Sequence, residues 1–199
     1  MKLKKIISLC KARKQITLFS DGARDQQWLT DGYAVYLLDD VLRLDTLTLC
    51  RLYDINDNQQ EKMSLNDLFT LPEELCFLDN ENEESDAQEL DLSIYYNGGT
   101  LVPFMTEEGI YYIEKKYLEP LTDNSSDTWL FTLRHDSAGR PVIAVKIGLF
   151  LVAIITTYKM PELFIDKLET LYKQSRLSIQ LNNKRDNDAV PETSAPDRS

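Results

Sequence analysis

A chain of 199 residues, 43% hydrophobic and 28% charged, is long enough to fold as one domain around its own core. It carries 33 acids against 22 lysines and arginines, a formal net charge of −11 that opposes indiscriminate binding to nucleic acid or anionic membrane. Three widely spaced cysteines, Cys10, Cys50 and Cys76, exclude a disulfide framework and a C-x-x-C zinc site and suit a reducing cytoplasm.

Residues 2–13 read as an amphipathic helix, with Leu3, Ile6, Ile7 and Cys10 on one face and lysines on the other. The basic start resembles the n-region of a signal peptide, but Lys11 to Lys14 cut the apolar run short, so no signal peptide is expected. Strands follow at Ile16–Phe19, Gln27–Leu29 and Tyr33–Leu38, with a tight turn at Thr30-Asp31-Gly32. Asp45 caps a short helix running to Tyr53, and Lys62–Leu65 reads as an edge strand. Residues 79–91 carry seven acids and no cation, and self-repulsion predicts an open loop there.

The second half reads as mostly β. Leu92–Tyr96 and Thr100–Phe104 flank Asn97-Gly98-Gly99, a hairpin signal. Further strands are expected at Ile110–Glu114, Trp129–Arg134, Val142–Ile147 and Leu149–Thr157, the last as central β-structure because Ile147–Ile155 is the strongest apolar run. That run is too short to cross a bilayer. Pro161 opens a helix to about Ser175, and residues 182–199 read as a disordered tail. The sum is an α+β fold, a mostly antiparallel sheet with an N-terminal, a short internal and a C-terminal helix. It forms a single domain over 1–181, in two halves, 1–78 and 92–181, joined by the acidic loop 79–91.

Catalytic signatures are sparse. His135 is the one histidine and sits beside Asp136 and Ser137, but members of a Ser–His–Asp triad must converge in space and sequence neighbours rarely do. The run Asp79-Asn80-Glu81-Asn82-Glu83 alternates carboxylates and amides without the glycine and distal glutamate of a calcium loop. No P-loop, G-x-G-x-x-G or G-x-S-x-G motif occurs. No catalytic residue, cofactor site or metal site is assigned.

Charge is the stronger signal. Lys2, Lys4, Lys5, Lys11, Arg13 and Lys14 make the N-terminus basic, while residues 73–91 hold nine acids and no cation. Lys2, Lys4, Lys5 and Lys11 are candidate phosphate contacts. Glu81, Glu83, Glu84 and Asp86 are candidate contacts to a basic partner protein, by imitation of nucleic-acid phosphates.

The segments Gln27–Tyr36, Lys116–Leu121 and Ala144–Gly148 with Ala153–Ile155 resemble a family of small cytoplasmic proteins from phages, prophages and mobile elements of Firmicutes. The resemblance implies an accessory protein acting inside a bacterial cell. Small acidic phage proteins of this kind include inhibitors of host nucleases, among them anti-CRISPR proteins. The expected function is therefore a non-enzymatic interaction protein whose partner is a host nuclease complex, with no membrane partner. The alternatives are a DNA-binding or clamp-like replication accessory protein and a carboxylate-based enzyme.

Overall fold

The computed structural model describes residues 2–38, 43–121 and 129–188. The chain divides into two compact units, 1–159 and 160–199. The first opens with helix α1 (Leu3–Arg13), then strands β1 (Gln15–Asp21), β2 (Gln26–Thr30) and β3 (Ala34–Leu37). Helices α2 (Thr46–Leu52) and α3 (Asp57–Gln60) lead to β4 (Ser64–Leu68). Two-residue strands β5 (Ser85–Asp86) and β6 (Gln88–Glu89) precede β7 (Ile94–Tyr96), β8 (Gly99–Thr106) and β9 (Gly109–Glu114). Three long strands close the unit, β10 (Trp129–His135), β11 (Pro141–Ile147) and β12 (Phe150–Thr156). The described residues of the second unit form helix α4 (Glu162–Asp188) after a short lead-in.

The expected α+β class with a mostly antiparallel sheet is what the chain adopts. Eight strands form one sheet in the order β4-β1-β2-β3-β12-β11-β10-β5. Every pairing in it is antiparallel except β1 with β4. Strands from both halves of the sequence thus share a single ladder, joined where β12 pairs with β3. As its apolar run predicts, β12 is central. A second sheet is built on β8, which pairs with β6, β7 and β9.

Local chemistry explains the elements. Asp45 accepts a hydrogen bond from Thr48 N and caps α2 as expected. Asn97 and Gly98, both at positive φ, form the two-residue turn between β7 and β8. The helix expected to end near Ser175 continues to Asp188, because residues 176–188 hold no Gly or Pro and several good helix formers. Of the expected tail, 182–188 belong to α4, and 189–199 lie outside the described residues.

Strand alternation gives the large sheet two apolar faces. The front face carries Ile16, Leu18, Leu29, Tyr36, Ile143 and Ile155, which share one core with Ile6, Ile7 and Cys10 of α1, Leu49 and Cys50 of α2, and Val102, Phe104 and Ile113 of the small sheet. The back face carries Phe19, Trp28, Val35, Leu37, Val142, Ala144 and Ile154. It is covered by residues 71–86, a strap whose Leu71, Leu75 and Phe77 pack against it. Phe77 meets Trp28 edge to face, with ring centroids 4.9 Å apart, and Arg24 Nη1 donates to Phe77 O at 2.6 Å. Among the described residues, no helix is long and apolar enough to cross a membrane.

Phe77 is therefore the apolar anchor of the strap. Replacing it with alanine leaves a cavity beside Trp28 and is expected to cost about 3–5 kcal/mol. Urea unfolding should show a lower midpoint at unchanged slope.

Candidate functional site

The acidic segment is ordered, which corrects the expectation of an open, self-repelling loop. Two cations lie beneath it. Arg134 of β10 and Lys146 of β11 project from the back face, their side chains 1% and 5% exposed. Burying unpaired charge is costly, so both demand carboxylate partners. Glu84 serves both. Its Oε2 accepts from Arg134 Nε at 2.8 Å and Nη2 at 2.6 Å, and its Oε1 accepts from Lys146 Nζ. Lys146 Nζ also donates to Asn80 Oδ1 at 3.2 Å.

Arg134 is saturated. A guanidinium has five N–H donors, and the remaining ones meet Cys76 O at 3.2 Å, Leu78 O at 2.8 Å and Asp79 O at 3.0 Å. Three of its acceptors are main-chain carbonyls, so Arg134 dictates the path of the strap and not only its charge. Asp79 Oδ1 accepts from Leu151 N at 2.9 Å, which ties the strap to β12 as well. Glu81 Oε2 stands 3.6 Å from Arg134 Nε, adding a second negative charge. Beyond Glu84, β5 extends the large sheet along β10, Ala87 N donates to Phe131 O at 2.9 Å, and β6 pairs with β8.

Of the four acids expected to face a partner, Glu84 is used internally and Glu81 is half-buried beside Arg134, whereas Glu83 and Asp86 are exposed. Glu73, Glu74, Glu89 and Asp91 are exposed as well. The basic residues of α1 are partly engaged. Lys11 Nζ donates to Tyr53 O at 2.6 Å, at the C-terminal end of α2 where a cation is favoured. Lys5 Nζ lies 3.5 Å from Glu119, Lys2 N donates to Pro120 O at 2.9 Å, and Lys4 is exposed.

Among the described residues, His135 and Asp136 do not converge on a nucleophile. His135 Nε2 is 3.3 Å from Glu108 Oε2. Asp136 Oδ1 accepts from Ala138 N and Arg140 N within its own turn, and Oδ2 accepts from Arg140 Nε at 2.6 Å. Among the described residues, no group of three or more His, Cys, Asp or Glu is placed to hold a metal ion.

Two concavities flank the turn between β2 and β3. One, about 190 Å³, is an apolar groove on the back face beside Tyr33, Pro72, Leu75 and Ile154. The other, about 300 Å³, lies between the end of α1 and the 3-10 turn Lys115–Tyr117, lined by Arg13, Asp31, Glu114, Lys116 and Tyr117. In the second, Arg13 stacks 3.6 Å over the Tyr33 ring and Lys116 pairs with Glu114. Asp31 Oδ1 accepts from Tyr33 N and Ala34 N at 3.0 Å each, while Oδ2 is buried with no hydrogen-bond partner among the described residues. Burial pushes the Tyr117 hydroxyl up to about 12 despite the hydrogen bond from Arg13, and pushes the Cys10 thiol up as well, away from nucleophilic use.

No family model, curated protein or solved structure matches this chain.

Sequence reasoning missed Arg134 and Lys146 as organising residues. The signal was present: each is a cation inside an otherwise apolar strand, in Leu133-Arg134 and in Val142-Ile-Ala-Val-Lys146. A charge at such a position needs a buried partner, and the largest surplus of acids lies in 79–91.

Burial alone would raise the pKa of Glu84, but hydrogen bonds from Lys146 and Arg134 outweigh it and hold the carboxyl below the usual range. A depressed folded-state pKa contributes stability that is fully present above the unfolded value, about 4.3, and is lost as pH falls through the folded value. Glu84→Gln should cost about 3–5 kcal/mol at pH 7, since it strands two buried cations. Its urea midpoint should also fall less steeply than the parent's between pH 5 and 3, which checks the linkage directly.

Proposed function

We propose that this protein is a non-enzymatic interaction protein that presents an ordered row of carboxylates to a basic surface of another macromolecule. The observation that carries the reading is the pairing of the acidic segment with both sheets, with β10 through Ser85–Asp86 and with β8 through Gln88–Glu89, while Glu83, Asp86, Glu89 and Asp91 stay exposed. Carboxylates already held in place lose little conformational entropy on binding, and their charge steers a cationic partner. The partner fitting this chemistry is a protein with a groove built for phosphates, and a host nuclease complex is the case suggested by analogy with small acidic phage proteins that inhibit such nucleases. The basic helix α1 supports a nucleic-acid reading less well, because Lys5 and Lys11 already have protein partners.

Affinity purification from nuclease-treated bacterial lysate tests the reading. Capture of a basic, nucleic-acid-processing protein is expected without nucleic acid present. Raising salt from 0.1 to 0.5 M should weaken the complex at least tenfold, since exposed charges are screened over about 10 Å or less in that range. The combined variant Glu83→Gln, Asp86→Asn, Glu89→Gln, Asp91→Asn should abolish capture and keep the parent's unfolding midpoint. Capture indifferent to both salt and the variant rejects the proposal, as does a gel shift of DNA by the protein alone with no protein captured.

A further inference from the structure

Helix α4 is a unit in itself, 27 residues long and so about 40 Å from end to end. Ile165, Leu168, Leu171, Tyr172 and Ile179 fall within about a third of its circumference at 3.6 residues per turn. Ile165 is 39% exposed, and Leu171, Tyr172 and Ile179 are each 59% exposed. A single helix in water is only marginally stable, and an amphipathic one gains most of its stability from whatever packs on its apolar stripe.

Both spacing and charge bear on the occupant. Ile165, Leu168, Tyr172, Ser175 and Ile179 follow the alternating three- and four-residue steps of a two-helix seam. Glu169 and Arg176, seven residues apart, lie along the same edge of that seam. A two-fold axis across two antiparallel helices brings like edges together, so Glu169 of each copy meets Arg176 of the other, twice. A parallel pair would set that edge against the opposite one, where Leu171 stands, and would leave both charges unmatched. Residues 162–169 carry three acids and Lys167, and residues 170–181 carry Lys173 and Arg176 with no acid, so antiparallel packing sets a net negative stretch against a net positive one. In the single chain, Glu169 pairs with Lys173 at 2.6 Å and Arg176 donates to the Tyr172 hydroxyl at 3.1 Å. Both contacts are exposed and weak enough to be redirected.

We propose that α4 pairs antiparallel with α4 of a second copy, making the protein a two-fold dimer. The inference is independent of the carboxylate row, although a dimer would present that row twice and raise avidity for a repetitive partner.

Sedimentation of the full chain between about 1 and 100 μM tests it. A mass approaching twice 23.0 kDa at the upper concentrations is expected. Glu169→Arg should weaken the dimer roughly tenfold by replacing two attractions with two repulsions, and adding Arg176→Glu should restore it. Both positions are exposed on the helix surface, so the parent's unfolding midpoint should be kept at concentrations where both chains are monomeric. A monomer at 100 μM overturns the proposal. So does a dimer unmoved by Glu169→Arg, which would indicate a parallel pair or another surface. A dimer weakened by Glu169→Arg and not rescued by the swap overturns the stated pairing.

Discussion

Everything on the back of the large sheet depends on one buried contact, Glu84 between Arg134 and Lys146. Two cations on neighbouring central strands are a poor choice for stability alone, because desolvation cancels much of what ion pairing returns. Their effect is specificity. Arg134 recognises three main-chain carbonyls and one carboxylate in a fixed fork geometry, which ties residues 76–84 to one path. The strap that covers Trp28 and Phe19 is thus placed by polar bonding at one end and by Leu75 and Phe77 at the other.

The same contact sorts the acids. Residues 79–91 look uniform in sequence, a solvated run of like charge. In the fold they separate into an inward set, with Glu84 bonded, Glu81 beside Arg134 and the Asp79 carboxylate receiving Leu151 N, and an outward set of Glu83, Asp86, Glu89 and Asp91. Arg134 and Lys146 are spent on the inward acids. The outward four therefore meet solvent with no cation among them. That asymmetry underlies reading the molecule as a binder of basic surfaces.

Much of the fold was legible because its signals are local. The Asp45 cap, the Asn97-Gly98 turn and the alternation in Ala34–Leu37 and Val142–Ile147 each report on a few neighbouring residues. The acidic segment was misread because its neighbours all repel, while the charges that hold it lie some fifty to sixty positions further on, an ordering that no window of a dozen residues contains. The end of α4 is hidden for a milder reason: the stripe that marks the helix in sequence runs from Leu163 to Tyr172, yet no Gly or Pro follows before Asp188 to stop it. Asp31 was placed in a turn, but its buried, half-satisfied carboxylate shows only once α1 and Tyr117 close over it.

The insertion of β12 between β3 and β11 has a consequence for synthesis. Strands β1 to β3 can pair with one another early, yet Ala34–Leu37 must wait, with an open hydrogen-bonding edge, until Phe150–Thr156 leaves the ribosome. Such a nascent chain offers an apolar template to any other extended peptide nearby. The long closure also makes folding slow for a chain of this size, because the loop entropy of everything between must be overcome before the central ladder forms. A cell making this protein in quantity would therefore need to shield its first third co-translationally, and a fragment stopped short of Thr156 is left with an unfinished sheet.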